Sequence, residues 1–416
     1  MIDRLSSLAL VPGVLAAFVC ITPSTVDELS KSERRKLVKA TTEYFEADAS
    51  DKLEARADLG ELVDALNEDA ERSLLADVEQ MQSVLLEARE RSNRVDGKGS
   101  AKEIEIKRGP LDTTGVVRAP KKYAGDKQTY PLVIVIPDSG QSPEEALQQD
   151  WNQPEALEGG VFCAVTMPSD ESIWGGFGDG ALGGVYHVMF AYGQLVEEYS
   201  IHPDRVILAG RGAGVAAAAQ IAATFPDRFA AVVGLSGDLD SETPADNFGA
   251  ISTLWLGAGA NAADFAQRTG ELGYDNCTNE PSMADADVWT WIDEQRRTAH
   301  PTSLRFRPLD QRAGDAYWMR AIGVDLEDAS TAVSAEIDRD SNTITIEGSG
   351  VSSIQLRFND LLVDLSQPVK VVVNGVEVER SFERNLSTML DRVAASADPC
   401  RIYVAEHVYD FEAAAE

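Results

Sequence analysis

The chain is poor in cysteine, histidine and positive charge, and each shortage argues against a class of protein. Its 416 residues include four cysteines and four histidines. Beyond the first 24 residues only Cys163, Cys277 and Cys400 remain, with no Cys-x-x-Cys pair, so neither a disulfide framework nor a structural zinc site is expected. One disulfide among these three stays open. We expect no metal and no cofactor.

Basic residues are outnumbered, with 37 Lys and Arg against 69 Asp and Glu, for a net charge of −32. Such a field repels nucleic acid and anionic membrane surfaces, so neither is an expected partner. No Asp-x-Asp-x-Asp-Gly loop points to a calcium site. The charge therefore indicates an acidic solvated surface, typical of a lineage or of a salty habitat.

Long apolar runs are missing except at the start of the chain. Arg4 precedes an apolar stretch from Leu5 to Cys20, the order of an export signal. Residues 1–24 are thus a predicted signal peptide, although no Ala-x-Ala cleavage site is present. We expect export to the periplasm, the cell surface or the medium, with an uncleaved membrane anchor as the alternative. No other run could span a bilayer.

Residues 25–94 are charged, alanine-rich and almost free of glycine and proline, which predicts helices. An apolar stripe recurs at helical spacing, formed by Leu74, Val78, Met81, Leu85 and Ala88. It predicts a helical hairpin packed on the main domain. The alternative is a coiled coil that oligomerises through residues 60–90.

Residues 101–325 alternate apolar strands with helices, which predicts an α/β fold with a parallel sheet covered on both faces. The strands are "YPLVIVI", "GGVFCAV", "DRVILAG", "FAAVVGL" and "ISTLWLG". Residues 326–416 instead alternate polar and apolar side chains and predict a small β-rich α+β domain. It has a hairpin turn at Asn374-Gly375, a helix over 385–395 and a last strand "RIYVAEHV".

The turn "VILAGRGAG" raises two interpretations. Gly210 and Gly212 fit a G-x-G-x-x-G dinucleotide fingerprint, but the third glycine would fall at Val215. A second match, "GDGALG" over 178–183, follows no strand. Nucleotide binding stays an alternative. Gly210, Gly212 and Gly214 also have the spacing of a strand-turn-helix elbow, in which the central residue should be a serine.

The stretch "YSIHPDRVILAGRGAGVAAAAQIAATFPDRFAAVVGLSGDLD" resembles the segment around the nucleophile in secreted esterases of the polyhydroxybutyrate depolymerase and feruloyl esterase type. The motifs "HPDRV" and "FPDRFAAVVGLSG" carry the resemblance, and "YWMRAIG" with the strands that follow it extends it over about residues 125–408. It implies an α/β-hydrolase fold.

The catalytic residues that the resemblance implies are missing. Gly212 occupies the position of the serine. Pro137 and Asp138 occupy the oxyanion turn, where proline has no N–H to donate and aspartate carries negative charge. Asn261 and Asp264 are the nearest candidates for the acid. The loop "YDNCTNEPSMADA", where a histidine is expected, has none. The four histidines are His187, His202, His300 and His407.

We therefore expect a pseudo-esterase, a catalytically degenerate α/β-hydrolase that binds a small molecule or a protein in a relic pocket. The predicted ligand-binding residues are Asp138, Ser139, Trp174 and Arg211. The alternative is an active serine or cysteine hydrolase with displaced residues, in which Ser139 or Cys277 works with His300.

Overall fold

The computed structural model describes residues 28–70, 72–89, 93, 95–111, 113–176 and 183–411. The predicted signal or anchor segment, residues 1–24, lies outside this range, as does most of "GDGALG". Three helices come first: α1 (Lys31–Glu46), α2 (Lys52–Ala70) and α3 (Val78–Ala88). None of the helices in the described ranges is long and apolar enough to cross a membrane.

The predicted apolar stripe is buried, but it does not lie on one continuous helix. Helix α2 ends at Ala70 and α3 begins at Val78, so Leu74 lies between the two helices. Helices α1–α3 bury their apolar side chains in one core with the strands that follow residue 302, including Leu304, Ile354 and Tyr409. The prediction of a hairpin on the main domain therefore needs correction, because the helices pack mainly against the C-terminal region. Oligomerisation through residues 60–90 stays a prediction.

The central sheet has eight strands: β1 (Lys102–Ile106), β2 (Thr113–Arg118), β3 (Tyr130–Ile136), β4 (Val161–Val165), β5 (Ile201–Arg211), β6 (Ala231–Leu235), β7 (Ser252–Leu256) and β8 (Cys277–Glu280). Their order is β1-β2-β4-β3-β5-β6-β7-β8. Strands β1 and β2 are antiparallel, and β4, β3 and β5–β8 run parallel. The predicted α/β class is confirmed.

Helices cover both faces of this sheet: α4 (Pro143–Asp150), α5 (Pro154–Gly159), α6 (Gly184–Glu198), α7 (Gly214–Thr224), α8 (Ala260–Glu271) and α9 (Asp285–Glu294). All seven residues of β3 are buried. Leu132, Ile134 and Ile136 face the core under α6, α7 and α8, whereas Val133 and Val135 face the core under α4, α5 and α9. This two-sided burial explains the continuous apolar runs of the sequence.

The C-terminal region contains β9 (Ser303–Phe306), β10 (Asp315–Ala316), β11 (Met319–Val324), β12 (Ala332–Asp338), β13 (Thr343–Ser349), β14 (Val351–Phe358), β15 (Val369–Val373), β16 (Val376–Arg380), α10 (Leu386–Ser396) and β17 (Ala405–Asp410). They form a sheet β10-β11-β14-β17 and a sheet β16-β15-β13-β12-β9. The hairpin turn at Asn374-Gly375 is confirmed, with φ of 45° and 83°. The last strand begins at Ala405, four residues after the predicted start at Arg401.

Candidate functional site

The predicted elbow joins β5 to α7 at the carboxyl edge of the parallel strands. Gly212 has φ +53°, a left-handed conformation that glycine adopts without strain. A Cβ on Gly210 would lie 2.2 Å from the carbonyl oxygen of Gly214, and a Cβ on Gly214 would lie 2.4 Å from that of Ile136. The packing of strand against helix therefore requires glycine on both sides of the turn.

The carboxylate of Asp138 occupies the space in front of Gly212. Asp138 follows β3, which pairs with β5 through Ile136 and Gly210. A Cβ on Gly212 would lie 2.1 Å from Oδ1 and 2.2 Å from Oδ2 of Asp138. Oδ1 accepts hydrogen bonds from the backbone N–H groups of Ser139 at 2.8 Å and Ala213 at 2.9 Å. A carboxylate thus fills the place of a side chain at position 212.

All four histidines are described, and their contacts lie away from this turn. His187 Nδ1 contacts Thr113 Oγ1 at 3.0 Å and the carbonyl oxygen of Thr166 at 2.9 Å. Burial lowers the pKa of His187, so its imidazole is neutral near pH 7. The fourth histidine, His407, lies on β17, where its ring contacts Tyr409.

His202 and His300 lie at the opposite, amino-terminal edge of the parallel strands. His202 stands at the start of β5, where its Nδ1 accepts the N–H of Asp204 at 3.2 Å. His300 packs edge-on against Tyr403, and its ring hydrogen-bonds the backbone of Ile402. Burial, with the nearby positive charge of Arg297, lowers the pKa of His300 to about 4.

The acid candidates of the sequence do not face the elbow in a common cluster. Asp264 is exposed on α8, and the Asn261 side chain donates to the carbonyl oxygen of Leu239 at 2.8 Å. Asp238, which the sequence reasoning missed, accepts the N–H groups of Asn261 at 3.3 Å and Ala262 at 3.1 Å. Two carboxylates, Asp138 and Asp238, thus cap the first turns of α7 and α8.

A cavity of about 180 Å³ opens beside the elbow, and we call it the carboxyl-edge cavity. It is lined by Gln149, Asp150, Trp151, Gln153, Arg211, Leu235, Ser236, Leu256, Gly257, Pro281, Ser282, Met283, Val288 and Trp289. Arg211 Nε donates to Asp150 Oδ2 at 2.6 Å, and Ser236 has a left-handed backbone with φ +52°. Asp150 and the two tryptophans carry no local sequence signal, because their partners are distant in the chain.

Of the predicted ligand-binding residues only Arg211 lines the carboxyl-edge cavity, whereas Asp138, Ser139 and Trp174 do not. Trp174 is buried in the core, where its Nε1 donates to the carbonyl oxygen of Pro168 at 2.7 Å, and it does not line the carboxyl-edge cavity. Ser139 is exposed and donates its hydroxyl to Glu171. Cys277 starts β8, in register with Thr253 near the start of β7. Ser139 therefore lies at the carboxyl edge, while Cys277 and His300 do not.

The open prediction of a disulfide is resolved, since Cys163, Cys277 and Cys400 are all free thiols. Cys163 and Cys277 share one register row but sit on β4 and β8, five strand steps or about 24 Å apart. A disulfide joins sulfurs about 2 Å apart, so these two cannot bond.

His202, Asp204 and Cys400 place their potential metal-ligating atoms within 4.8 Å of one another. Asp204 Oδ1 already accepts hydrogen bonds from Nε of Arg297 at 2.9 Å and from Nη2 at 2.6 Å. Burial and neighbouring carboxylates raise the pKa of Cys400, which keeps the thiol protonated. A cation there would compete with a guanidinium, so this trio fits a metal poorly.

No family model matches the chain, and no curated protein matches its sequence. Among solved structures, a thermostable esterase is 17% identical, with 47% of this chain and 63% of that one covered and a TM-score of 0.39. The chain thus spans less than two thirds of that esterase. A ferulic acid esterase is 11% identical, with coverages of 47% and 96% and a TM-score of 0.37.

An S-formylglutathione hydrolase from Staphylococcus aureus is 12% identical, with 47% of this chain and 99% of that one covered and a TM-score of 0.37. At these identities, and with TM-scores below 0.5, the likeness says nothing about the activity or the ligands of this chain. The fold is instead defined by the strand order β1-β2-β4-β3-β5-β6-β7-β8, the antiparallel β2 and the glycine turn after β5. The central part of the chain has the α/β-hydrolase fold.

Proposed function

We propose that this chain is a catalytically degenerate α/β-hydrolase that acts by binding rather than by ester hydrolysis. The observation that carries the proposal is the Asp138 carboxylate, which fills the side-chain space at Gly212 and accepts the N–H of Ala213. In the hydrolase elbow, the N–H after the nucleophile stabilises the oxyanion of the tetrahedral intermediate.

Both halves of the esterase mechanism are affected by this arrangement. Gly212 has no side-chain oxygen that could attack a carbonyl carbon, and the histidine contacts described above leave no imidazole base beside it. A developing oxyanion would also lie beside the Asp138 carboxylate, which already accepts the hydrogen bond of the Ala213 N–H. Two like charges at contact distance repel. Removing triad residues lowers turnover roughly 10⁴-fold or more, and loss of the oxyanion donor lowers it further.

The displaced-residue alternative requires Ser139 or Cys277 to meet His300. His300 contacts Ile402 and Tyr403 at the amino-terminal edge, whereas Ser139 follows β3 at the carboxyl edge. Nucleotide binding requires a pyrophosphate at the start of α7. The Asp138 carboxylate already accepts the Ala213 N–H there, so an anion would meet negative charge.

The carboxyl-edge cavity is the ligand site we propose for this binding function. Its lining contains one cation, Arg211, and one anion, Asp150, which form an ion pair. Trp151, Met283 and Trp289 add apolar surface. Because the charges of the lining cancel, the cavity favours a small neutral ligand with an apolar part, rather than the anion that Arg211 alone would suggest.

The test of degeneracy uses purified protein with short p-nitrophenyl esters and a fluorophosphonate probe. We expect hydrolysis at the background rate and no covalent label. Ser139→Ala, Ser236→Ala and His300→Ala serve as controls and should match the parent protein. Turnover that one of these substitutions abolishes, or a label mapped to the carboxyl-edge cavity, would overturn the proposal.

Export remains part of the proposal and rests on the residues from Arg4 to Cys20. Expression with and without residues 1–24, followed by N-terminal sequencing of the exported product, tests it. A new N-terminus near residue 25 supports cleavage. Full-length protein retained in the membrane fraction supports the anchor, and full-length protein in the cytosol contradicts both.

A further inference from the structure

A second cavity, of about 200 Å³, lies where the α/β region meets the C-terminal region, and we call it the basic cavity. It is lined by Arg228, Asp315, Arg320, Arg357, Arg392, Ala395, Ser396, Arg401 and Tyr403. Arg228 precedes β6, so this cavity adjoins the amino-terminal edge of the parallel strands, opposite the elbow. It is independent of the carboxyl-edge cavity and of the function proposed for it.

The lining includes five arginines and one acidic residue, in a chain with a net charge of −32. Three further carboxylates, Asp227, Asp398 and Glu406, pair with Arg401 and Arg392 but do not line the cavity. The lining itself sets five guanidinium groups against the one carboxylate of Asp315, which pairs with both Arg320 and Arg357, and is therefore cationic. Screening over about 8 Å at physiological salt lets this local charge act despite the acidic exterior.

The arginine side chains of the basic cavity differ in the fraction that is exposed to solvent. The side chains of Arg357 and Arg401 are 5% and 6% exposed, whereas that of Arg320 is 42% exposed. Arg357 pairs with Asp315 and donates to the carbonyl oxygen of Tyr317 at 3.4 Å. An incoming anion would thus pass one solvated guanidinium before it reaches two buried ones.

Buried donors in this cavity lack partners. The hydroxyl of Tyr403, a residue that is 2% exposed, meets no hydrogen-bond partner within the described part of the chain, and neither does Nε of Arg357. Buried polar groups are ordinarily paired, so two orphan donors in one cavity are unusual. Burial raises the pKa of Tyr403 against the opposing effect of nearby Arg401 and Arg357, so its hydroxyl remains a neutral donor.

We propose that the basic cavity is a binding site for a phosphate-type oxyanion, either free phosphate or the phosphoryl group of a small phosphomonoester. The orphan hydroxyl of Tyr403 and the guanidinium groups of Arg357, Arg401 and Arg320 would donate to its oxygens. Guanidinium groups suit phosphate and carboxylate oxygens alike. These donors come from β11, β14 and the segment after α10, and a phosphoryl group offers three acceptor oxygens to them where a carboxylate offers two.

The size of the cavity agrees with such a ligand. A water molecule takes up about 30 Å³ in the liquid, so a volume of about 200 Å³ accommodates a group several times larger. The arginines come from the loop before β6, from β11 and β14, and from the segment around α10. Occupation would therefore also tie the α/β region to the C-terminal region.

The test measures binding of inorganic phosphate to the full chain by equilibrium dialysis, at constant ionic strength with chloride as the balancing anion. Methyl phosphate and succinate are the competitors. We expect saturable phosphate binding that Arg320→Gln weakens about tenfold and Tyr403→Phe about fivefold, from the loss of one charged and one neutral hydrogen bond. Arg320 is half-exposed and Tyr403→Phe keeps the ring, so both variants should fold.

Arg384→Gln is the matched control, because Arg384 pairs with Asp360 in the same region but does not line the cavity. It removes the same charge and should leave phosphate binding unchanged. If methyl phosphate competes, the cavity is a phosphomonoester site. If it does not compete, the cavity is a site for the free phosphate ion. Both outcomes support the proposal. Absence of saturable binding, equal weakening by Arg384→Gln, or equally tight succinate binding would overturn it.

Discussion

Oδ1 of Asp138 lies 2.9 Å from the backbone nitrogen of Ala213, and both carboxylate oxygens lie within 2.2 Å of the point where a Cβ on Gly212 would stand. The elbow is therefore a closed contact between a loop after β3 and a turn after β5. Glycine at position 212 and aspartate at position 138 fit each other, which makes their energetic coupling measurable.

Gly212→Ala should destabilise the fold by more than the 1–2 kcal/mol that a left-handed backbone costs an alanine. The added methyl group must displace the Asp138 carboxylate. Asp138→Ala alone should cost about 1 kcal/mol, as the loss of a helix cap does. In the double variant the clash is gone. Its loss of unfolding free energy should therefore be smaller than the sum of the two single losses by about 1 kcal/mol or more. Urea unfolding of the four proteins measures this coupling.

Gly375→Ala is the control for backbone strain. Gly375 has φ +83°, and an added Cβ there meets no atom within 4 Å. This variant should show the cost of the left-handed backbone alone and no coupling with Asp138→Ala. Additive costs at positions 138 and 212 would contradict the close packing of the elbow.

Restoring the serine should not restore an esterase. The variant Asp138→Gly with Gly212→Ser supplies an oxygen and frees the Ala213 N–H, but His202 and His300 lie at the other edge of the sheet and His187 is engaged with Thr113 and Thr166. Without a base the serine stays protonated. We expect p-nitrophenyl acetate hydrolysis at background, and turnover that His187→Ala removes would show that this imidazole reaches the elbow.

The fold should lose stability in acid through His300. Its pKa is lowered from 6.5 to about 4 by burial and by Arg297, so the unfolded chain takes up a proton at higher pH than the folded chain. Stability is then complete above pH 6.5 and declines as the pH falls from 6.5 towards 4. His300→Gln removes this dependence, worth about 1–3 kcal/mol at pH 4.

The measurement is the difference between the unfolding free energies of the parent and His300→Gln from pH 4 to 7, which cancels the titration of the shared carboxylates. The free energy of unfolding of His300→Gln should rise relative to that of the parent protein as the pH falls. His407→Gln, on β17, should give a flatter difference because burial around that ring is weaker. A difference for His300→Gln that is constant with pH would contradict the buried neutral imidazole.

Arg297 joins the α/β region to the C-terminal region through buried charges. Its side chain is fully buried, donates to Asp204 and donates to Asp398 at 2.6 Å. Arg297→Met leaves buried carboxylates without their main partner, so it should cost about 3–5 kcal/mol in urea unfolding. Adding Asp398→Asn should recover part of that loss.

An exposed ion pair provides the comparison. Lys370 and Glu377 lie 3.0 Å apart with side chains 41% and 57% exposed. Lys370→Gln should cost at most about 1 kcal/mol. Similar costs for Arg297→Met and Lys370→Gln would show that the buried network contributes no more than a surface pair.

Local patterns in the sequence were sufficient to predict the parallel sheet, the elbow and the Asn374-Gly375 turn. Each depends on residues close in the chain, such as the two-sided burial of β3 or the positive φ that Gly212 requires. The side chain that fills the elbow could also be predicted, because Asp138 follows a strand that the resemblance places beside the turn.

Contacts between distant segments were not predictable in the same way. The ring of Trp174 packs inward although its loop suggests a cleft, and Trp289 reaches the carboxyl-edge cavity from α9, far along the chain. The basic cavity gathers Arg228, Arg320 and Arg401, which are separated by tens of residues and carry no shared motif. The packing of α1–α3 against β9–β17 is of the same kind.

The core shared by α1–α3 and the strands after residue 302 has a consequence for biosynthesis. The helices leave the ribosome before the α/β region, and the strands that cover their apolar faces leave after it. Until then the helices carry uncovered hydrophobic surface, which attracts chaperones and other nascent chains. Removing the C-terminal strands should therefore destabilise helices α1–α3. In a nascent chain stalled before β9, these helices should be cut readily by proteases.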